Sequence, residues 1–228
     1  MFEKLRSDTL RARIAHQIRD AILKGALKEG ERLVERKLAI ELGASLTAVR
    51  EGLIELELEG FIIKKRNSGT HVTKLALADV EKIFELRAVL ESYAFGEAAR
   101  NATPEDVDSL ERCYLEMVGA ARNRDALAYN HKDVAWHSLV WQLTKNEFLQ
   151  AALKRAILPY FASTAIRYSS VDPFVLLHDA SGHYPLLEAI KARDPEAAQR
   201  AYAERISEWL RVTRLEFSHE HVAEQLVG

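Results

Sequence analysis

The stretch ERKLAIELGASLTAVREGLIELELEGFIIKKRNSGTHV, residues 35–72, contains the pattern that decides the fold of the N-terminal third. Its opening residues predict a short helix over 35–42, which Gly43 ends. Ser45 is a good N-terminal cap, so a further helix is predicted from there to about Glu59. The apolar residues Val49, Leu53 and Leu56 recur at helical spacing and are expected to face a core.

Two short β-rich runs close the same stretch, on either side of Asn67-Ser68-Gly69, and they predict a hairpin. Upstream, Asp8–Lys24 repeats apolar residues every three to four positions and predicts a first helix. Helix, short helix, tight turn, helix and hairpin is the element order of a winged helix-turn-helix, predicted here for residues 1–75.

From residue 76 to 228 the apolar pattern is helical throughout, and no strand is predicted. The fold class is therefore mainly α, with an N-terminal winged helix-turn-helix and a C-terminal antiparallel all-helical bundle. A loose tail or a dimer arm is expected from Ser218. The bundle helices are predicted at 78–100, 104–123, 125–143, 147–168, 174–191 and 195–217.

The distribution of charge also separates the two halves. Residues 1–75 carry 15 Lys and Arg against 11 Asp and Glu, whereas the remaining residues carry 17 against 23. A basic first domain suits a polyanionic partner. The N-terminus lacks the apolar core of a signal peptide, and no apolar run approaches the roughly 18 residues of a membrane span, so a soluble cytoplasmic protein is expected.

Three residues of the helical region are candidates for DNA contacts. Thr47 and Arg50 lie at the start of the third helix, opposite its apolar face, and this end of a recognition helix reaches base edges in the major groove. Arg50 could pair with guanine, and Thr47 could reach a phosphate or a thymine methyl group. Arg36, at the start of the preceding helix, could contact the DNA backbone.

The predicted hairpin is basic, as a DNA-binding wing would be. Lys64, Lys65 and Arg66 precede its turn, and Gly69 allows close approach to a minor groove. The alternative is that each of these is a solvated surface charge, which is the better interpretation for any one of them alone. Their combination in this element order favours DNA binding.

The motifs G-x-L-x-x-G-x-x-L, L-A-x-x-L-G, T-x-V-R-E and L-E-x-E-G-F all stand within residues 8–73. In these motifs the chain resembles the DNA-binding domain of GntR-family transcription regulators. The resemblance implies that Arg36, Thr47 and Arg50 contact DNA and that Ser68 and Gly69 form the wing tip. Three positions, Leu46, Ala48 and Gly52, depart from the usual S-R-T-P-V-R-E-A-L, which puts the affinity and the operator sequence in question.

The second half contains LRAVLE near residue 86, Asp133 and His137 four apart, and HYPLLEAIKARDPEAAQRAYAERI from His183. It resembles the FCD effector domain of the FadR subgroup. Many members of this subgroup bind a divalent metal through one Asp and three His, and a carboxylate effector beside it. The resemblance implies that Asp133, His137 and His183 are ligands for a Zn, Ni or Mn type of ion, but the fourth histidine falls at Arg205.

A guanidinium has no acceptor atom and cannot replace an imidazole as a ligand. Three interpretations stay open. In the first, the three remaining residues still form a facial set for a metal. Alternatively no metal binds, and Arg205 pairs with Asp133 and binds the effector carboxylate through its fork. In the third interpretation all four are structural polar residues. Arg87 matches a pocket arginine of related proteins, or is simply the i,i+4 partner of Glu91.

These features together predict a DNA-binding transcription regulator, with a repressor as the expected kind. Its partners are expected to be double-stranded DNA with a palindromic operator, a small carboxylate effector and a second copy of the chain, because one winged helix makes too few base contacts for specificity. The alternative is a metal-dependent enzyme that uses Asp133, His137 and His183. No general base or nucleophile is evident around them, and the enzyme interpretation leaves the basic wing unexplained.

Overall fold

The computed structural model describes the backbone of residues 10–168 and 173–227 and the side chains of residues 10–167 and 175–214. Its contacts divide the chain into two compact units. The first unit consists of Met1–Lys74 and Leu158–Ser169, and the second of Leu75–Ile157 and Ser170–Gly228. The predicted division into independent domains at residues 75 and 76 stays a prediction.

The first unit has the element order of a winged helix-turn-helix. Its elements are α1 (Leu10–Leu23), β1 (Arg32–Leu33), α2 (Glu35–Glu41), α3 (Leu46–Leu58), β2 (Ile62–Lys65) and β3 (Gly69–Val72). The strands form one antiparallel sheet in the order β1-β3-β2, in which Arg32 pairs with His71 and Lys65 with Gly69. The two-residue strand β1 was not predicted, because it is too short to show a period.

The core of the first unit confirms the apolar face expected of α3. Val49, Leu53 and Leu56 are buried there, and α1 contributes Ile14 and Ile18 to the same cluster. The side chain of Ser45 caps α3 by accepting a hydrogen bond from the amide of Ala48. This cluster therefore holds α3 by one face and leaves the other exposed.

A helical segment from far along the chain completes that core. The helix α7 (Glu147–Tyr168) continues through Pro159, and Ala162 belongs to the buried cluster of the first unit. Gly60 has a φ of 82°, and a Cβ atom there would lie 2.5 Å from the backbone of Leu158 and Pro159. Glycine is required at this position by both the backbone conformation and the close approach.

The second unit is entirely helical within its described residues. Besides the first part of α7, it contains α4 (Leu77–Asn101), α5 (Pro104–Arg122), α6 (Ala126–Leu143), α8 (Pro173–Ser181), α9 (Tyr184–Lys191) and α10 (Pro195–Val227). Helix α4 packs along α10 and α5 along α6. The predicted fold class, a mainly α chain with a winged helix-turn-helix and a helical C-terminal part, is confirmed.

Two expectations for this unit were wrong. A single helix was predicted over 174–191, but α8 and α9 are separate, because Gly182 breaks the helix and Pro185 cannot donate a hydrogen bond to the preceding turn. A loose tail or a dimer arm was expected from Ser218; α10 continues to Val227, which contradicts the loose tail, while the dimer arm stays a prediction. None of the helices within the described residues is long and apolar enough to cross a membrane.

Candidate metal centre and DNA-binding surface

The stretch that carries Asp133 and His137 forms α6, and both side chains point into the second unit. The helix buries Tyr129, Trp136 and Trp141 as well, so it has apolar contacts on more than one side. Residues four apart on a helix lie on the same face. Here that face is buried, which makes the pair an internal site and excludes an ordinary polar pair on a helix surface.

The break between α8 and α9 brings His183 to the same place. This residue is the N-terminal cap position of α9, and its side chain is fully buried. Its Nε2 atom lies 3.0 Å from Oδ1 of Asp133, while Nε2 of His137 lies 3.7 Å from the same oxygen. The three ligand atoms all lie within 4.8 Å of one another, so the three predicted ligands do come together.

Two atoms of this triad, Oδ1 of Asp133 and Nε2 of His183, face each other and have no other hydrogen-bond partner among the described residues. A buried polar atom without a partner carries a desolvation cost of about 1–3 kcal/mol. The Nδ1 atom of His183 lies 3.2 Å from the carbonyl oxygen of Asp179. If Nδ1 donates to that carbonyl, Nε2 presents a lone pair to Asp133.

Burial and neighbouring charges tune the ionisation of the triad. Burial alone would raise the pKa of Asp133, but contact with His183 and the charges of His137 and Arg205 bring it below its ordinary value. Burial and then the charge of Arg205 lower the pKa of His183. The site therefore favours a carboxylate next to a neutral imidazole, which are the protonation states that metal ligands need.

Glu91 lies beside His137, although its position in the sequence indicated only an i,i+4 pairing with Arg87. It is fully buried on α4, and its Oε1 accepts from Nδ1 of His137 at 2.8 Å and from Nε1 of Trp141 at 3.1 Å. Its Oε2 accepts from Nε of Arg87 at 2.7 Å and from the hydroxyl of Tyr202. Burial would raise its pKa, but Arg87 and His137 outweigh that effect and lower it.

Arg87 lies on the buried face of α4, where its side chain is 4% exposed and pairs with Glu91. The i,i+4 pairing considered for the sequence is therefore present, although inside the protein rather than on its surface. This position does not line the cavity described below. The assignment of Arg87 as an effector-binding residue stays a prediction.

Arg205 does not pair with Asp133, as one interpretation of the sequence expected. Its Nη2 atom lies 2.5 Å from Oδ1 of Asp179 and 3.3 Å from Nδ1 of His183. The hydroxyl of Tyr129 donates to the other oxygen of Asp179 at 2.6 Å. The expected pairing was wrong because α8 places a second buried carboxylate closer to α10 than the carboxylate of α6.

A cavity of about 290 Å³ opens next to this pair. A Cβ atom at Gly182 would lie 1.8 Å from Nη1 of Arg205, so a side chain at this position would displace the guanidinium. Nε2 of His178 lies 3.7 Å from Oε1 of Glu208, and both side chains are more than half exposed. The cavity is lined by His178, Asp179, Ser181, Gly182, Pro185, Ala201, Glu204, Arg205, Glu208 and Trp209.

The predicted DNA-contacting residues of the helices lie at the surface of the first unit. Arg36, Thr47 and Arg50 are exposed. Nε of Arg50 lies 2.7 Å from Oε2 of Glu35, the first residue of α2. Arg50 is therefore engaged by an acidic side chain that a DNA contact would have to replace.

The wing shows a similar arrangement. Lys64, Arg66 and Gly69 are exposed, and Nζ of Lys64 lies 2.6 Å from Oε2 of Glu57. Ser68 is half-buried, and its hydroxyl lies 2.8 Å from Nε2 of His71. Gly69 has a φ of 90°, a conformation that favours glycine at the wing tip.

Comparisons with known proteins identify the family to which this chain belongs. The family model of the FCD domain matches residues 82–208, more than half of the chain, and the model of bacterial regulatory proteins, gntR family, matches residues 10–72. The chain belongs to the GntR family and carries an FCD domain. It is a DNA-binding transcription regulator. The alternative interpretation, a metal-dependent enzyme built on Asp133, His137 and His183, receives no support.

Individual relatives agree with the family. A probable D-xylose utilization operon transcriptional repressor from Paenarthrobacter nicotinovorans is 28% identical over 208 residues, covering 89% of this chain and 90% of that protein. A gluconate operon transcriptional repressor from Bacillus licheniformis is 28% identical over 137 residues, 60% of this chain and 56% of that protein. The solved structure of Escherichia coli McbR/YncC has a TM-score of 0.74 at 22% identity, covers 92% of this chain and 100% of that chain, and shows the shared fold.

Proposed function

We propose that this regulator is a cytoplasmic repressor that binds a palindromic operator as a homodimer and is controlled by a small carboxylate at the centre of its FCD domain. The observation that carries the proposal is the buried triad of Asp133, His137 and His183, which stands beside a cavity lined by Arg205. A ligand-responsive regulator needs a DNA-binding unit and an internal ligand-binding site, and this chain has a candidate for each.

The residues of the triad fit a divalent cation. Two histidines and one carboxylate form a facial set that suits a divalent transition metal, and the unpartnered Oδ1 of Asp133 and Nε2 of His183 are satisfied when a cation lies between them. Asp133, His137 and His183 would hold the ion, which would polarise a bound carboxylate. Zinc, nickel and manganese are all compatible with these ligand types.

In this proposal Arg205 binds the effector carboxylate and is not a fourth metal ligand. Its guanidinium is charged and is held at the cavity by Asp179. An effector carboxylate would contact the fork of Arg205 in competition with Asp179. Because the ligand binds one arrangement of these groups better than another, it shifts the protein between two states that differ in DNA affinity.

In the DNA-binding unit, we assign base contacts to Thr47 and Arg50 and backbone contacts to Arg36. The wing residues Lys64, Arg66, Ser68 and Gly69 are assigned to the adjacent groove. Support comes from the exposure of the basic side chains and from the capped α3 helix, which carries Thr47 and Arg50. Two copies related by a two-fold axis would read the two halves of a palindrome.

The test begins with DNA binding by the full chain. A labelled fragment from upstream of the protein's own gene is titrated with wild type, Arg50→Ala and Lys154→Ala, the last a basic residue of α7 outside the proposed surface. Wild type and Lys154→Ala should bind alike, while Arg50→Ala should lose affinity for the specific fragment. Equal binding by all three proteins would contradict the assignment of α3 as the recognition helix.

Control by a carboxylate is tested with the same fragment. Gluconate and D-xylose make a useful first pair, since the names of two relatives mention these compounds and only gluconate carries a carboxylate. Each is added to protein prepared with zinc and to protein treated with chelator. Release of DNA by a carboxylate, but not by the neutral sugar, supports the proposal. If neither gluconate nor a wider set of carboxylates changes DNA affinity, control by a carboxylate fails.

A further inference from the structure

Glu91 is a buried carboxylate on α4 that contacts His137, one of the three proposed metal ligands. Its side chain is completely buried, and its two oxygens accept hydrogen bonds from four side chains on three helices. Arg87 on α4 and Tyr202 on α10 donate to Oε2. His137 and Trp141 on α6 donate to Oε1. Every acceptor position of this carboxylate is therefore directed at a defined partner.

We propose that Glu91 is a positioning residue of the metal centre, which fixes His137 in the tautomer protonated at Nδ1. The inference rests on the proposed metal site and deepens it. A carboxylate can only accept, so Nδ1 of His137, 2.8 Å from Oε1, must carry the hydrogen. The Nε2 atom then presents its lone pair toward Asp133, as a metal ligand must.

The second histidine of the triad shows why this support matters. Nδ1 of His183 lies 3.2 Å from the carbonyl oxygen of Asp179, an acceptor, and 3.3 Å from Nη2 of Arg205, a donor. The carbonyl favours a hydrogen on Nδ1, whereas the guanidinium favours a hydrogen on Nε2. These contacts therefore do not fix the tautomer of His183. At Nδ1 of His137 the neighbour is an acceptor, Oε1 of Glu91 at 2.8 Å, so this contact fixes the orientation and tautomer of His137 before any ion binds.

Arg87 keeps Glu91 in the ionised form that this arrangement requires. A buried carboxylate without a counter-charge would tend to be protonated, and a protonated Glu91 could donate to His137 and reverse its tautomer. The guanidinium of Arg87 is buried beside Oε2 and keeps the carboxylate ionised. The arginine predicted to contact the effector would instead act on the metal centre through Glu91 and His137.

Glu91→Gln is a sharp test because it keeps the shape of the side chain. The amide has one acceptor and one donor end, and placing its NH₂ against the guanidinium of Arg87 would be unfavourable. The opposite orientation sets the NH₂ against the Nε1–H of Trp141, a neutral donor, which is less unfavourable than the charged guanidinium. The NH₂ should therefore face His137, whose Nδ1 must then accept. This moves the hydrogen to Nε2 and blocks the ligand atom. Tyr202→Phe is the matched control, since it removes one donor to Glu91 but leaves the bond to His137.

Two measurements are made on full-length wild type, Glu91→Gln and Tyr202→Phe. The first is zinc affinity, by competition with a chromophoric chelator. Glu91→Gln should raise the Kd about 10–100-fold, as loss of such a supporting group typically does, and Tyr202→Phe should leave it unchanged. The second is the tautomer of His137 in metal-free protein, read from two-bond ¹H–¹⁵N correlations of ¹⁵N-histidine protein and assigned with His137→Asn.

These measurements test the role of Glu91 separately from the proposed metal site. Glu91→Gln with an Nε2-protonated His137 and weakened zinc binding supports the inference. An unchanged tautomer, or a loss of zinc affinity in Tyr202→Phe equal to that in Glu91→Gln, overturns it. If wild type binds no zinc, nickel or manganese, the metal site itself fails. The tautomer of His137 in metal-free wild type and Glu91→Gln still decides the positioning role.

Discussion

The Nε2 atom of His183 lies 3.0 Å from Oδ1 of Asp133, and neither atom has another hydrogen-bond partner among the described residues. When Nε2 carries no hydrogen, both atoms are acceptors and no donor satisfies them. The two are held on different elements, one on α6 and the other at the start of α9, so helical spacing alone cannot bring them together. Leaving both without a partner costs free energy in the metal-free protein. A cation or a shared proton removes that cost, and the predictions below distinguish between these possibilities.

Zinc is expected to stabilise the wild-type protein against heat. An ion that binds only the folded state at 100 times its Kd adds about 2.7 kcal/mol, which corresponds to a rise in Tm of roughly 5–10 °C for a chain of this size. Asp133→Asn should abolish the rise. In the absence of metal this variant should be as stable as wild type, because the amide can donate to Nε2 of His183. Circular dichroism melts with zinc and with chelator measure both effects, and a full zinc shift in Asp133→Asn would contradict the site.

Replacing Arg205 by histidine should tighten metal binding. The imidazole supplies the ligand that related proteins are implied to have at this position, and the substitution also removes a positive charge near the ion. Arg205→Gln is the control, because it removes the charge without adding a ligand. Zinc affinity, measured by competition with a chelator, should be highest for Arg205→His, intermediate for Arg205→Gln and lowest for wild type. If Arg205→His binds zinc no more tightly than Arg205→Gln, position 205 does not reach the metal.

Glu35→Gln should increase DNA affinity by releasing Arg50 from its ion pair. Exposed ion pairs contribute up to about 1 kcal/mol, so the Kd should fall by up to about fivefold at low salt. Glu41→Gln is the matched control, since it removes the same charge from the same helix but breaks a contact with Lys37 instead. Fluorescence anisotropy over a series of salt concentrations checks the effect. An equal gain in both variants would mean that only net charge matters.

Gly52→Ala is expected to destabilise the protein, although alanine is the better helix former by about 1 kcal/mol. A Cβ atom at Gly52 would lie 2.7 Å from Cγ2 of Ile14, which is buried in the core between α1 and α3. Overpacking of this kind costs about 1–3 kcal/mol. Gly119→Ala on α5 is the control, because nothing lies within 4 Å of its added Cβ and the change should stabilise. Urea unfolding measures both; greater stability of Gly52→Ala would show that α1 and α3 can separate.

Gly52 also shows what a motif comparison can and cannot say. The sequence presents it as a departure from an alanine and as a weak point in a helix. The structure gives it a reason, since the glycine lets α1 approach α3 closely. Arg87 is a similar case. Its spacing from Glu91 predicted a pair, but the helical repeat does not say which side of α4 is covered by α10.

The sequence by itself determined the helices and the hairpin, because apolar spacing and capping residues act over a few positions. α7 begins and ends at the predicted residues, and Ser45 caps α3 as expected. The sequence also placed Asp133 and His137 on one helical face. Only the tertiary structure decided that this face is buried, that Glu91 supports His137, and that Asp179 rather than Asp133 pairs with Arg205. Those choices depend on which helices pack together, and contacts between distant segments leave no period in the sequence.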